Sequence, residues 1–153
     1  MTFTIRALQE KDQWEWRALW VQYNAFYGRV GETALPEEVV QTTWQRLLSP
    51  EEVMFGVVGE TQLGKLVGLL HYVFHRNFIQ VADTCYVQDV FTLPECRGQG
   101  VARGLFSSVE RDCSAHGVTD LYWHTHSRNA AARALYEQIG TDTNFGVYRR
   151  TLT

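Results

Sequence analysis

The segment V-F-T-L-P-E-C-R-G-Q-G-V-A, Val90 to Ala102, constrains this chain more than any other. It joins a strand pattern around Asp89 to an amphipathic helical pattern through two glycines, Gly98 and Gly100. Without side chains at those positions, backbone N–H groups can turn inward, and at a helix N-terminus such donors make an anion site. Arg97 adds a positive charge at its mouth. Two nucleotide-binding readings fail on spacing. There is no G-x-x-x-x-G-K-[ST], which excludes a P-loop. Gly98-x-Gly100-x-x-Arg103 breaks the dinucleotide G-x-G-x-x-G fingerprint at its last position, and it lies too late in the chain to open a doubly wound domain.

Around that turn the chain of 153 residues reads as one domain, residues 1–153. An apolar share of 45% with 20% charged residues excludes a disordered or collagenous chain. The net charge of -3 leaves no electrostatic footprint for nucleic acid and tolerates a cationic substrate. Met1 to Arg6 lacks a secretory pattern. The most apolar stretch, Leu66 to Phe74, is far short of the ~20 residues a bilayer span needs. The expectation is a cytoplasmic protein with no membrane partner. Cys85, Cys96 and Cys113 match neither a disulfide framework nor a zinc pattern, and no His/Cys/Asp cluster has metal spacing, so no metal is expected.

Periodicity supplies the order of elements. Phe3 to Ala7 alternates as a strand, and Asp12 with Glu15 has the D-x-x-E spacing of a capping box opening a helix to about Tyr27. Pro36, Glu37 and Glu38 suit the first turn of a second helix ending at Leu48. Met54 to Val58 and Lys65 to His75 read as an antiparallel pair, and Thr84 to Leu93 as the next strand. A helix from about Gly100 to Ala115 stops at Gly117 in the C′ role. Val118 to Thr125 then reads as a strand, Asn129 to Ile139 as a helix and Phe145 to Leu152 as a final strand. This α/β (α+β) order predicts a mixed sheet with helices covering it, and a parallel pair across the helix after Gly100.

Three segments together resemble the GNAT superfamily of N-acetyltransferases. R-x-x-G-x-A at Arg97, Gly100 and Ala102 is similar to its acyl-CoA pyrophosphate loop. N-A-A-A-R-A-L-Y-E-Q-I-G, Asn129 to Gly140, is similar to its second signature, and the segment Phe55 to Tyr72 to its central hairpin. Tyr86 to Phe91 and L-Y-W-H-T-H, Leu121 to His126, resemble the histone and polyamine (diamine) acetyltransferase branch. That branch often carries Glu-Asp where this chain has Gln88-Asp89, so one carboxylate that would help hold a cationic amine is missing.

The resemblance implies a GNAT fold: an antiparallel N-terminal half, a splayed parallel strand pair and helices on both faces. It implies acetyl-CoA as co-substrate, held by Val90, Phe91, Thr92, Arg97, Gly98, Gln99, Gly100, Val101, Ala102, Arg103, Asn129, Ala132 and Tyr136. Tyr27, Gln88 and Asp89 would meet a primary-amine acceptor, with Asp89 orienting the amine or passing on its proton. Tyr136, two helical turns after Asn129, would act as general acid to the CoA thiolate during direct attack in a ternary complex. His71 with His75, and His124 with His126, each share a strand face by period two and are further candidates for the base. The branch also implies a homodimer. A non-catalytic acyl-CoA-binding regulatory module and a protein-lysine acetyltransferase are the competing readings.

Overall fold

Five strands form one sheet in the order β1-β2-β3-β4-β5, in a computed structural model that describes residues 1–152. They are β1 (Phe3–Ala7), β2 (Met54–Thr61), β3 (Leu66–His75), β4 (Thr84–Thr92) and β5 (Leu121–Trp123). The helices are α1 (Gln13–Phe26), α2 (Glu37–Leu48), α3 (Val101–Ala115) and α4 (Ala130–Ile139). Strands β1 to β4 pair antiparallel, and β4 pairs with β5 in parallel. The mixed sheet expected from the element order is therefore present.

β3 is central, and its residues from Leu66 to Tyr72 are all buried, as a strand covered on both faces requires. Toward one face, the indoles of Trp16 and Trp20 on α1 stack with ring centroids 5.2 Å apart, and Trp44 of α2 lies 4.9 Å from Trp16. On the other face, α3 presents Val101, Leu105, Phe106 and Val109, all buried. Gly68 permits that approach, because a Cβ there would sit 2.5 Å from Val101 Cγ1. Each such fully buried aliphatic or aromatic side chain contributes about 1.5–3 kcal/mol of transfer free energy.

Three expectations are corrected. Asp12 does not close a capping box over α1; no side-chain cap bond forms there. Its carboxylate instead accepts from Arg6 of β1 at 2.7 and 2.8 Å and from the Gln9 N–H, while Glu15 accepts from the Leu66 N–H. The bidentate Arg6 pair holds the carboxylate toward β1 rather than over the first turn of α1. The strand read over Val118 to Thr125 is only Leu121–Trp123. Phe145 to Leu152 forms no strand and pairs with none of the five. None of the helices is long and apolar enough to cross a membrane, among the described residues.

Candidate active site

The parallel pairing of β4 and β5 lasts only from Cys85–Leu121 to Val87–Trp123, and beyond it the strands part. A cleft of about 640 Å³ opens there, within the roughly 300–1,000 Å³ of ordinary ligand sites. Val87 to Thr92, apart from Asp89, form one wall, and Trp123, His124 and Thr125 with α4 form the other. The main-chain groups of β4 past Val87 have no β5 partner, so an extended ligand bearing amides can pair with them.

The glycine turn closes one end. Gly98 and Gly100 have φ of +72° and +88°, the left-handed region that glycine enters without strain. Gly100 N-caps α3, and the first helical bond is from Gly104 N to Gly100 O. The N–H groups of Gly98, Gln99, Gly100, Val101, Ala102 and Arg103 meet no protein acceptor among the described residues. A cradle of unpartnered donors at a helix N-terminus fits a pyrophosphate. Arg97 lies over the Phe91 ring and donates from Nε to Thr92 O at 3.1 Å. Arg103 reaches across the cleft to Gln138 Oε1 of α4.

α4 forms the far wall. Asn129 caps it, its Oδ1 accepting from Ala132 N at 3.2 Å. Tyr136 packs edge-on against Phe106 and Trp123, and its hydroxyl has no protein partner among the described residues. Burial, then the neighbouring Tyr27, pushes its phenol up to about 12, so it carries its proton at neutral pH. Gly140 ends α4 under the Trp123 ring, where a Cβ would lie 2.8 Å from Cη2.

Val90, Phe91, Thr92, Arg97, Gly98, Gly100, Val101, Ala102, Arg103, Asn129, Ala132, Tyr136, Tyr27 and Gln88 all line this cleft. Gln99 does not; its amide donates to Glu95 O from an exposed position. Asp89 does not line it either. A bulge in β4 leaves His71 opposite Asp89 and Tyr72 opposite Val87, with Gln88 as the extra residue. The slip reverses the face taken by the residues beyond it. Cys85 adjoins Cys113 of α3, whereas Asp89 turns beneath α1 and accepts from Trp20 Nε1 at 3.2 Å. His71 Nδ1 lies 2.8 Å from the same carboxylate oxygen, and Trp16 Nε1 donates to His71 Nε2 at 2.9 Å. Since indole only donates, His71 carries its proton on Nδ1 and gives that bond to Asp89. Burial would raise the Asp89 carboxyl, but the donors His71, Tyr23 and Trp20 outweigh it and hold it below the ordinary carboxylate range.

Tyr23, Phe26 and Trp123 also line the cleft, as does His124, one of the four histidines considered for the base. Tyr23 and Phe26 stand with Tyr27 in the aromatic stripe at the end of the first helix. The Tyr23 hydroxyl lies 3.4 Å from Gln88 O, and burial and then Asp89 raise its pKa. His75 meets the Tyr122 hydroxyl at 2.9 Å, outside the cleft. Most notably, the lining contains no carboxylate among the described residues.

The model of the acetyltransferase (GNAT) family matches residues 9–141. A D-amino-acid N-acetyltransferase of Saccharomyces cerevisiae, HPA3, is 29% identical over 147 residues, covering 95% of this chain and 89% of that protein. Among solved structures, the aminoglycoside 6'-N-acetyltransferase AAC(6')-Ih from Acinetobacter baumannii superposes with a TM-score of 0.80 at 18% identity, covering 99% of each chain. AAC(6')-Iy, solved with a CoA-linked bisubstrate analog, gives a TM-score of 0.83 at 16% identity over 100% of both chains.

Proposed function

The chain belongs to the acetyltransferase (GNAT) family, and on that premise we propose that it is an acetyl-CoA-dependent N-acetyltransferase acting on the primary amine of a small acceptor. The observation that carries this reading is one cleft holding both the unpartnered N–H groups of Gly98, Gly100, Val101, Ala102 and Arg103 and the unpartnered Tyr136 hydroxyl. Acetyl-CoA, when bound, supplies an acetyl thioester. Gly98 to Arg103 would take its pyrophosphate, and the free main-chain groups of Val90, Phe91 and Thr92 its pantetheine amides. The helix-dipole share is about 0.3–1 kcal/mol per charge, so the several direct N–H bonds dominate.

The acceptor nitrogen attacks the acetyl carbon as the carbon–sulfur bond breaks, within a complex of both substrates. Only about one alkylamine in 10³ is unprotonated at pH 7, so the amine loses a proton to solvent before attack, the lining offering no carboxylate to take it. Tyr136 donates a hydrogen bond to the departing sulfur. Handing its proton outright to a thiolate of ordinary pKa near 8.5 would be uphill by about 5 kcal/mol. The hydrogen bond therefore acts first, and the proton released by nitrogen restores the balance. Asp89 acts at one remove, orienting Tyr23 at the acceptor end rather than touching the amine.

The acceptor end favours an amine that also bears a carboxylate, on the strength of Arg29, which stands against the lining residues Tyr23 and Tyr27 although it is not itself in the lining. The Arg29 guanidinium sits 5.9 Å from the Tyr23 ring centroid and 5.4 Å from that of Tyr27, with Nε held by Asn24 Oδ1 at 2.8 Å. Its terminal nitrogens have no acceptor among the described residues, whereas a polycation would find no carboxylate in the lining. HPA3 is named for action on D-amino acids, which agrees with this chemistry.

Thiol release with acetyl-CoA should be fastest with amino acids among D-amino acids, polyamines and aminoglycosides; a preference for polyamines would overturn the acceptor assignment. Tyr136→Phe should lower kcat by about 10²-fold with CoA binding retained. Unchanged turnover would remove the proposed acid. Binding of CoA with no release from any amine would favour a non-catalytic module.

A further inference from the structure

The sheet face that bears α1 is covered unevenly. His71 and Asp89 are buried beneath the helix, whereas Tyr122, His75 and His124 are exposed and Tyr86 is half-buried. Tyr86 of β4 and Tyr122 of β5 are register partners, and their rings stack with centroids 4.9 Å apart and planes 29° apart. They point away from α3, because Cys85, the residue before Tyr86, adjoins Cys113 of that helix and successive strand residues face opposite ways. His75 of β3 meets Tyr122 edge-on at 5.7 Å between centroids. His124 lies 5.2 Å from Tyr86 and 5.9 Å from Tyr122.

The polar tips of these four side chains are turned on one another or on the backbone. His75 Nδ1 is 2.8 Å from Arg76 O, which only accepts, so Nδ1 carries the proton and Nε2 accepts from the Tyr122 hydroxyl at 2.9 Å. The Tyr86 hydroxyl and His124 Nδ1 are 3.2 Å apart. What the group offers a ligand is therefore ring surface, braced by its own hydrogen bonds. It adjoins the acceptor end of the cleft. His124 belongs to the lining, and Tyr86 and Tyr122 immediately precede Val87 and Trp123, the lining pair at which the strands part.

We propose that Tyr86, Tyr122, His124 and His75 form a shelf for the side chain of the acceptor, and that the favoured acceptors are amino acids whose side chain is an aromatic ring. The proposal rests on the reading of this chain as an acetyltransferase of amine acceptors that carry a carboxylate. With the amine at the mouth of the cleft and the carboxylate on Arg29, the remaining large substituent of an amino acid is its side chain. An aliphatic side chain gains only buried area on the shelf, whereas an aromatic one adds edge-to-face and offset contacts with rings already held in place. A cationic side chain meets two imidazoles and a lining without a carboxylate, among the described residues.

The test compares phenylalanine, leucine and alanine, as D and L forms, by thiol release from acetyl-CoA. For the parent protein, kcat/KM for phenylalanine should exceed that for leucine by about 2- to 12-fold, with alanine last. Tyr122→Leu keeps apolar bulk but removes a ring, and should bring the phenylalanine-to-leucine ratio toward about one, while Tyr122→Phe should keep it. A parent that takes leucine as well as phenylalanine would overturn the shelf. So would a ratio that survives Tyr122→Leu in a variant with the parent's circular dichroism spectrum. Calorimetric titration of the same amino acids into the CoA-loaded parent reads the shelf without turnover. Phenylalanine should bind first in rank by the same factor, and equal affinities or no binding would overturn the proposal. That ranking without thiol release from any amine would defeat the transfer reading and leave the shelf standing.

Discussion

The molecule divides at Val118. Every buried residue lies at or before it, and none lies after it among the described residues, although Leu121, Trp123, Leu135, Tyr136 and Ile139 all come later. The cleft runs along this division. Its β4 wall and glycine turn rest on a core with a helix packed on each face of the sheet. Its β5–α4 wall, which carries Asn129 and Tyr136, is held by half-buried contacts: Trp123 with Phe106 at 4.8 Å between centroids, Tyr136 with both, and Arg103 to Gln138. Two walls of one site can thus differ widely in how strongly their positions are enforced. The weaker wall is also the one bordered by the open strand edge.

The largest test of that contrast is a pair of truncations. Leu70→Ala, at a fully buried position of β3, should cost about 2–5 kcal/mol, and Leu135→Ala on α4 under about 1 kcal/mol, by urea unfolding. Equal losses would erase the distinction. Two glycines sharpen it next. Added methyls at Gly68 and Gly140 meet neighbours at 2.5 and 2.8 Å, a similar overlap. Gly68→Ala presses α3 off the central strand and should lower stability by about 1–3 kcal/mol. Gly140→Ala meets a half-buried Trp123 ring that can give way, so the loss in a thermal melt should be smaller.

On the division itself, Gly100→Ala forces an alanine to a φ of +88° with no clash, costing about 1–2 kcal/mol by backbone strain. A raised KM for acetyl-CoA should accompany that loss. A KM that does not move would detach the turn from the cofactor. The smallest effect is on pH dependence. Burial would raise the Asp12 carboxyl, yet Arg6 and the Gln9 N–H outweigh it and hold it below its ordinary value. Its contribution is therefore complete above the unfolded carboxylate pKa near about 3.9 and is lost as pH falls through the lower folded value. Melting temperatures from pH 6 down to 2 should fall less steeply in Asp12→Asn than in the parent. An identical slope would place the acid sensitivity elsewhere, with Asp89 the next group to test.

How much of this was legible in the sequence depended on how local each feature is. The glycine turn, the Pro36-led second helix, the helix read from Asn129 to Ile139 and the stop at Gly117 all arise from backbone conformation and bonds within a few residues, and these needed no knowledge of neighbours. Most of the expected cofactor residues gather in the cleft because the turn and α4 carry them there as units. The rest depended on partners distant in the chain. Asp12 has cap spacing, but Arg6, itself braced by Glu60 of β2, takes its carboxylate. Alternation along β4 cannot reveal that Gln88 is the bulged residue, and that one-residue slip turns Asp89 away from the cleft and under α1. The pattern at Phe145 to Leu152 is a strand's pattern, yet a strand exists only where another backbone accepts its hydrogen bonds, and within one chain no such backbone is paired with it.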